Sequence, residues 1–153
     1  MEKDRIYVDT SVFGGVFDDA FEDVSREFFQ QIKDNQFSLV TSALVQEEIL
    51  EAPQKVINFF DSILPFAEII DITAEALKLR VAYLKADIVT NKYSNDALHV
   101  ALATVTNCKI IVSWNFKHIV HFKKIPLYNA VNILQGYEQI AIYSPLEVIR
   151  YEE

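Results

Sequence analysis

Three carboxylates in this chain sit where an ionised group is costly unless something compensates it. Asp9 closes the short apolar run Ile6-Tyr7-Val8, Asp96 opens the apolar stretch Ala97 to Ala103, and Glu48 lies on a further apolar segment. Bringing such groups near a core requires hydrogen bonds or a counter-charge. Two or three carboxylates and an amide suit a hard divalent cation, Mg2+ or Mn2+, rather than Zn2+, which is bound through His and Cys. Such an ion can lower the pKa of a bound water and stabilise the leaving oxygen of a phosphodiester.

Each residue also has a plainer reading. Asp9-Thr10-Ser11 after a strand is good helix-capping chemistry, with Thr10 and Ser11 free to position Asp9 or to donate to a phosphate. Glu47 and Glu48 are adjacent, but Glu48 shares its helix face with Leu44 and Val45, whereas Glu47 shares the wetter face of Ala43 and Glu51. Helical side chains lean towards the N-terminus, which carries Glu48 back to the strand edge and favours it as the ligand. Asp96 in a first helical turn is favoured by the helix dipole alone. Asn115 reads as a turn residue or as a carbonyl donor to a hard cation. His99 reads as a packed core histidine and Trp114 as packing.

The elements that must position these groups alternate between strand and helix. Strands are expected at 6–8, 37–40, 67–72, 109–113 and 140–143. Helices are expected at 24–33, 43–51, 54–63, from Thr73 to about Ala86, and at 95–106; the stretch 125–136 is ambiguous. Ser42 and Ser94 read as N-caps and Pro53 as a first-turn proline. Alternation implies a mainly parallel sheet covered on both faces, an α/β fold with a three-layer α/β/α arrangement. Ligand crevices in such folds lie beyond the carboxyl ends of the strands, which would bring Asp9, Ser42 and Ser113-Trp114-Asn115 to one edge.

Composition sets the remaining bounds. The 153 residues suit one domain spanning 1–153, and 51% hydrophobic content supports a sizeable core. Three Gly and four Pro argue against linkers. The lone Cys108 excludes an internal disulfide and a thiolate metal cage. Neither a signal peptide nor an apolar run of the ~20 residues that span a membrane is evident, so a cytoplasmic protein is expected. A net charge of −8 opposes a nucleic-acid role, because phosphate contacts need Lys and Arg. The segment Lys117, His118, His121, Lys123, Lys124 is the densest basic stretch. It reads as a solvated helix face or as a phosphate track beside a metal.

Taken together, Val8-Asp9-Thr10-Ser11-Val12, Ser42 with Glu47-Glu48-Ile49, Asn95-Asp96-Ala97-Leu98-His99 and Ile111-Val112-Ser113-Trp114-Asn115 resemble the PIN domain family, the nuclease fold of VapC-type toxins. The resemblance covers about residues 5–120, leaving 125–153 as a C-terminal extension. It implies a Mg2+- or Mn2+-dependent endoribonuclease that leaves a 3′-hydroxyl and a 5′-phosphate. It further implies metal ligation by Asp9, Glu48 and Asp96, and a role for Ser113 at the family's usual Thr or Ser. Asn115 stands where many members carry a fourth Asp. Lys117 and His118 would support the RNA substrate. Family toxins pair with an antitoxin and often form homodimers. The rival expectations are a PIN-like module that binds RNA or a protein without catalysis, and a phosphatase using Asp9. The latter wants an acid where Ser11 stands.

Overall fold

The computed structural model describes residues 3–151; residues 1–2 and 152–153 of the expected 1–153 domain lie outside it. Five parallel strands, β1 (Arg5–Val8), β2 (Ser38–Ser42), β3 (Ala67–Ile70), β4 (Ile110–Val112) and β5 (Ala141–Tyr143), form one sheet in the order β3-β2-β1-β4-β5. β1 lies at the centre. Its Tyr7 is in register with Val40 of β2 and Ile111 of β4. The chain winds outwards from β1 to β2 and β3, then crosses to β4 and β5 on the other side. That reversal opens a crevice between the carboxyl ends of β1 and β4.

Among the described residues eight α-helices cover the two faces: α1 (Thr10–Gly15), α2 (Glu22–Lys33), α3 (Ala43–Ile49), α4 (Gln54–Ile63), α5 (Ala74–Lys85), α6 (Ser94–Val105), α7 (Ile125–Leu134) and α8 (Pro145–Val148). α1 to α4 pack together on one face, with α8 against α2; α5, α6 and α7 form the other. The three-layer α/β/α architecture expected from the alternation is therefore the one observed. The segment beyond residue 125 adds α7 and edge strand β5 to the same sheet.

Local chemistry explains most boundaries. Ser42 Oγ accepts from Val45 N at 3.2 Å, and Thr73 Oγ1 accepts from Ala76 N at 3.2 Å. Each satisfies one of the donors a helix start leaves unpaired. Thr73→Ala is expected to lower stability by about 1 kcal/mol, read as a shift in the urea midpoint with an unchanged slope. α2, α5 and α6 are each followed by a left-handed residue, Asn35, Asp87 and Asn107, with φ of 63°, 58° and 61°. Asn and Asp tolerate that region better than most L residues, so a chain poor in glycine still turns sharply out of its helices, into β2 after α2, into β4 after α6 and towards α6 after α5.

The sequence expectations fail at three places. No helix is expected at 10–15, yet α1 follows Asp9, which stands at its N-cap position as the capping chemistry of Asp9-Thr10-Ser11 suggests. Ser94 is the first residue of α6 rather than its cap, because a 3-10 turn at Asn91–Tyr93 leads directly into the helix. The basic segment 117–124 forms turns and not a helix. By contrast, α6 is buried from Ala97 to Thr104, as its apolar sequence requires.

Candidate functional site

Asp9 follows β1 at the crevice and is 3% exposed. It occupies the N-cap position of α1 but makes no side-chain cap bond. Its oxygens are used elsewhere. Ser11 Oγ donates to Oδ1 at 2.6 Å and Ser113 Oγ donates to Oδ2 at 2.7 Å. Each hydroxyl in turn accepts a backbone N–H from the β4 loop: Trp114 N to Ser11 Oγ at 2.9 Å, and Asn115 N to Ser113 Oγ at 2.9 Å. Two serines thus carry the polarity of two peptide groups to one carboxylate. Burial pushes the Asp9 carboxyl above its ordinary value, against the opposing effects of His99, Ser11 and Ser113, and Glu48 adds to the rise.

Glu48 projects from α3 into the same crevice. Thr10 Oγ1 and His99 Nε2 both bond its Oε1, at 2.7 and 2.5 Å. Burial pushes this carboxyl up, but the His99 hydrogen bond and charge, with the Thr10 hydroxyl, outweigh burial and hold it below its usual value. Glu47 is exposed on the opposite side, lining a groove between α3 and α4. The structure thus places Glu48, not its neighbour, at the crevice.

Asp96, half-buried in the first turn of α6, is pushed up by burial; the Asn115 amide, His118 and His99 oppose this, and Glu48 reinforces it. Asn115 does not present its carbonyl to the crevice. Its Oδ1 accepts from His118 N at 2.9 Å, and the amide side chain favours the charged form of the Asp96 carboxyl. The residue is therefore both a turn former and a support for Asp96.

Asp9, Glu48 and Asp96 all lie at one end of the sheet, and the Glu48 charge raises the carboxyls of both Asp9 and Asp96. They do not close into a cage: among the described residues no three His, Cys, Asp or Glu side chains stand together closely enough to enclose an ion. Each carboxylate is held towards its own donors instead. The donor set still fits a hard cation, being oxygen throughout. Burial disfavours the charged forms of Asp9 and Asp96, a penalty that a cation would offset.

On the flank of this crevice His118 is buried, with its ring 3.9 Å from that of Tyr93. Lys124 Nζ donates to His118 Nδ1 at 3.3 Å, while Nε2 has no partner among the described residues. Burial and the adjacent Lys124 hold the ring below its ordinary pKa. Lys92 and Lys117 place their ammonium groups 5.5 and 5.8 Å from the Tyr93 ring centre. The sequence reading found Lys117 and His118 but not Lys92 or Tyr93, which sequence separates from them by more than twenty positions. It also treated His99 as core packing. The ring is buried, yet it bonds Glu48.

A parallel three-layer domain with carboxylates at the carboxyl edge of its central strands is the class that fold and crevice define. The family model described as "PIN domain" matches residues 6–118, and the chain belongs to that family. No curated relative matches the sequence. Among solved structures, the chain is similar to VapBC2 from Rickettsia felis, a structure bound to a DNA fragment from their promoter. The identity is 19%, covering 92% of this chain and 98% of that one, with a TM-score of 0.61. At that identity the likeness concerns the fold.

Proposed function

We propose that this protein is a metal-dependent endoribonuclease of the toxin type. The observation that carries this is the placement of Asp9, Glu48 and Asp96 at one end of the sheet in a PIN domain, with Asp9 and Glu48 held by dedicated donors. Asp9, Asp96 and Glu48 would hold Mg2+ or Mn2+, which supplies charge neutralisation and a more acidic water. Ser11 and Ser113 fix both oxygens of Asp9, Thr10 fixes Glu48, and Asn115 steadies Asp96. RNA would approach over Tyr93 and His118, where Lys92, Lys117 and Lys124 concentrate positive charge in an otherwise acidic chain. None of these three lysines pairs with a carboxylate among the described residues. Phosphate contacts there would position the strand without reading its sequence.

An antitoxin is the expected protein partner. The groove between α3 and α4, roughly 410 Å³ and lined by Ile49, Leu50, Ile57, Phe60 and Leu64, suits an apolar helix; a homodimer is a further expectation. No helix among the described residues is long and apolar enough to cross a membrane.

Asn115 favours one second reading, a PIN module that binds RNA without cleaving it. An acid at that position would add a charge to the site; the amide instead serves Asp96. The two readings separate in one experiment, incubation of single-stranded RNA with the protein and Mn2+, then with chelator added, alongside calorimetric titration of Mn2+ alone. The nuclease reading expects Mn2+ uptake and cleavage that stops on chelation. RNA retention on filters with neither uptake nor cleavage would establish the binding module in its place.

A further inference from the structure

We propose that His99, backed by Tyr7 and Ser42, is a positioning residue that commits one oxygen of Glu48 to the protein and leaves the other for the cation. This rests on the metal-dependent reading of the crevice. Four side chains from four elements form one hydrogen-bonded line. Ser42 Oγ, at the end of β2, lies 2.8 Å from Tyr7 OH on β1. Tyr7 OH lies 2.7 Å from His99 Nδ1 on α6, and His99 Nε2 lies 2.5 Å from Glu48 Oε1 on α3. Ser42 and Tyr7 are fully buried and His99 is 2% exposed. Ser42 is anchored in turn by the backbone N–H of Val45.

Glu48 needs such support. A glutamate has three side-chain torsions, and its immobilisation costs about 1.5–2 kcal/mol of rotamer entropy. Its helix is only seven residues long. Two donors converge on Oε1, whereas Oε2 receives no hydrogen bond from the described residues. The ring Nε2–H donates to the ionised carboxylate in either charge state of the histidine. Tyr7 at Nδ1 fixes the plane of the ring and so the direction of that donor. Groups that bond a ligating side chain from behind are worth about 10–100-fold in metal affinity.

A histidine that merely filled the core would leave Mn2+ affinity untouched when replaced by a polar residue of similar size. His99→Gln keeps an amide N–H near the position of Nε2; His99→Asn can reach only the Tyr7 side. Calorimetric titration with Mn2+ should therefore show His99→Gln close to wild type and His99→Asn weaker by about 10–100-fold, with thermal melting used to confirm that both fold. Tyr7→Phe removes a hydroxyl and little volume, and should weaken Mn2+ in the same direction. Wild-type affinity in both His99→Asn and Tyr7→Phe would overturn the proposal while leaving the nuclease reading standing. Equal weakening by Gln and Asn would overturn it too, because the N–H that Gln restores near the position of Nε2 would then count for nothing. Absence of Mn2+ uptake by the wild type itself would remove both the proposal and the reading beneath it.

Discussion

Asp9→Asn should make the metal-free protein more stable at neutral pH and at the same time abolish its function. Asp9 is buried, and burial raises its carboxyl above the ordinary value of 3.8. The folded state then holds its proton more tightly than the unfolded chain does. Stability from this group is complete below 3.8 and is lost as pH rises through the raised value. Asp96 acts in the same sense. Glu48 acts oppositely: its contribution is present above its ordinary 4.5 and is lost as pH falls through the lowered value. Replacing Asp9 with its neutral isostere removes one buried charge and flattens the decline above pH 4. A gain of about 1 kcal/mol, or roughly 2–4 °C in melting temperature, is expected at pH 7. If Asp9 ligates the cation as proposed, Mn2+ affinity and RNA cleavage should both fall by more than about 100-fold, since a direct ligand should count for more than the groups behind it. Scanning calorimetry at pH 4, 5.5 and 7 with titration of the same samples would check both halves. A variant that melts below wild type at pH 7 yet still takes up Mn2+ would contradict them.

Gly15→Ala should cost about 3 kcal/mol, or roughly 6–12 °C in melting temperature, although it adds a single methyl group. A Cβ at Gly15 would lie 2.7 Å from Ser25 Oγ, 2.7 Å from Trp114 Nε1 and 2.8 Å from Trp114 Cδ1. None of these atoms is free to move. The indole donates to Ser25 Oγ at 2.8 Å and stacks on Phe21 with ring centres 4.2 Å apart. Displacing Trp114 also pulls on the peptide that donates to Ser11 and on its neighbours Ser113 and Asn115. Weaker Mn2+ binding should therefore accompany the loss of stability. Gly14→Ala is the natural control. Nothing lies within 4 Å of a Cβ there, and a helical Gly→Ala change gains about 0.5–1 kcal/mol. Equal melting temperatures for the two variants would refute the packing account.

Much of the fold was legible because the physics behind it is local. Buried parallel strands read as short apolar runs, and Ser42 and Thr73 cap helices by bonding residues three positions on. α1 escaped because Gly14 and Gly15 weaken helix propensity, so its stability comes from packing against α2 and α4. Asp9, Glu48 and Asp96 could be read because each interrupts an apolar pattern. Ser11 and Ser113 could be singled out, but not their joint grip on Asp9, which depends on β1 pairing with β4. The Ser42–Tyr7–His99–Glu48 line was beyond reach for the same reason. Its members are 35, 92 and 51 positions apart, pair by pair, and each looks like an ordinary core residue alone. The orientation of Asn115 was likewise hidden, since an amide's two ends are chosen by its neighbours and not by its sequence position.

Trp114 is the only tryptophan in the chain. It is 9% exposed and wedged against Phe21 between the two residues that serve Asp9 and Asp96. The protein thus carries a built-in optical reporter. Light absorbed at the red edge of the ultraviolet band excites one chromophore, and its emission originates one residue away from the hydroxyl that bonds Asp9.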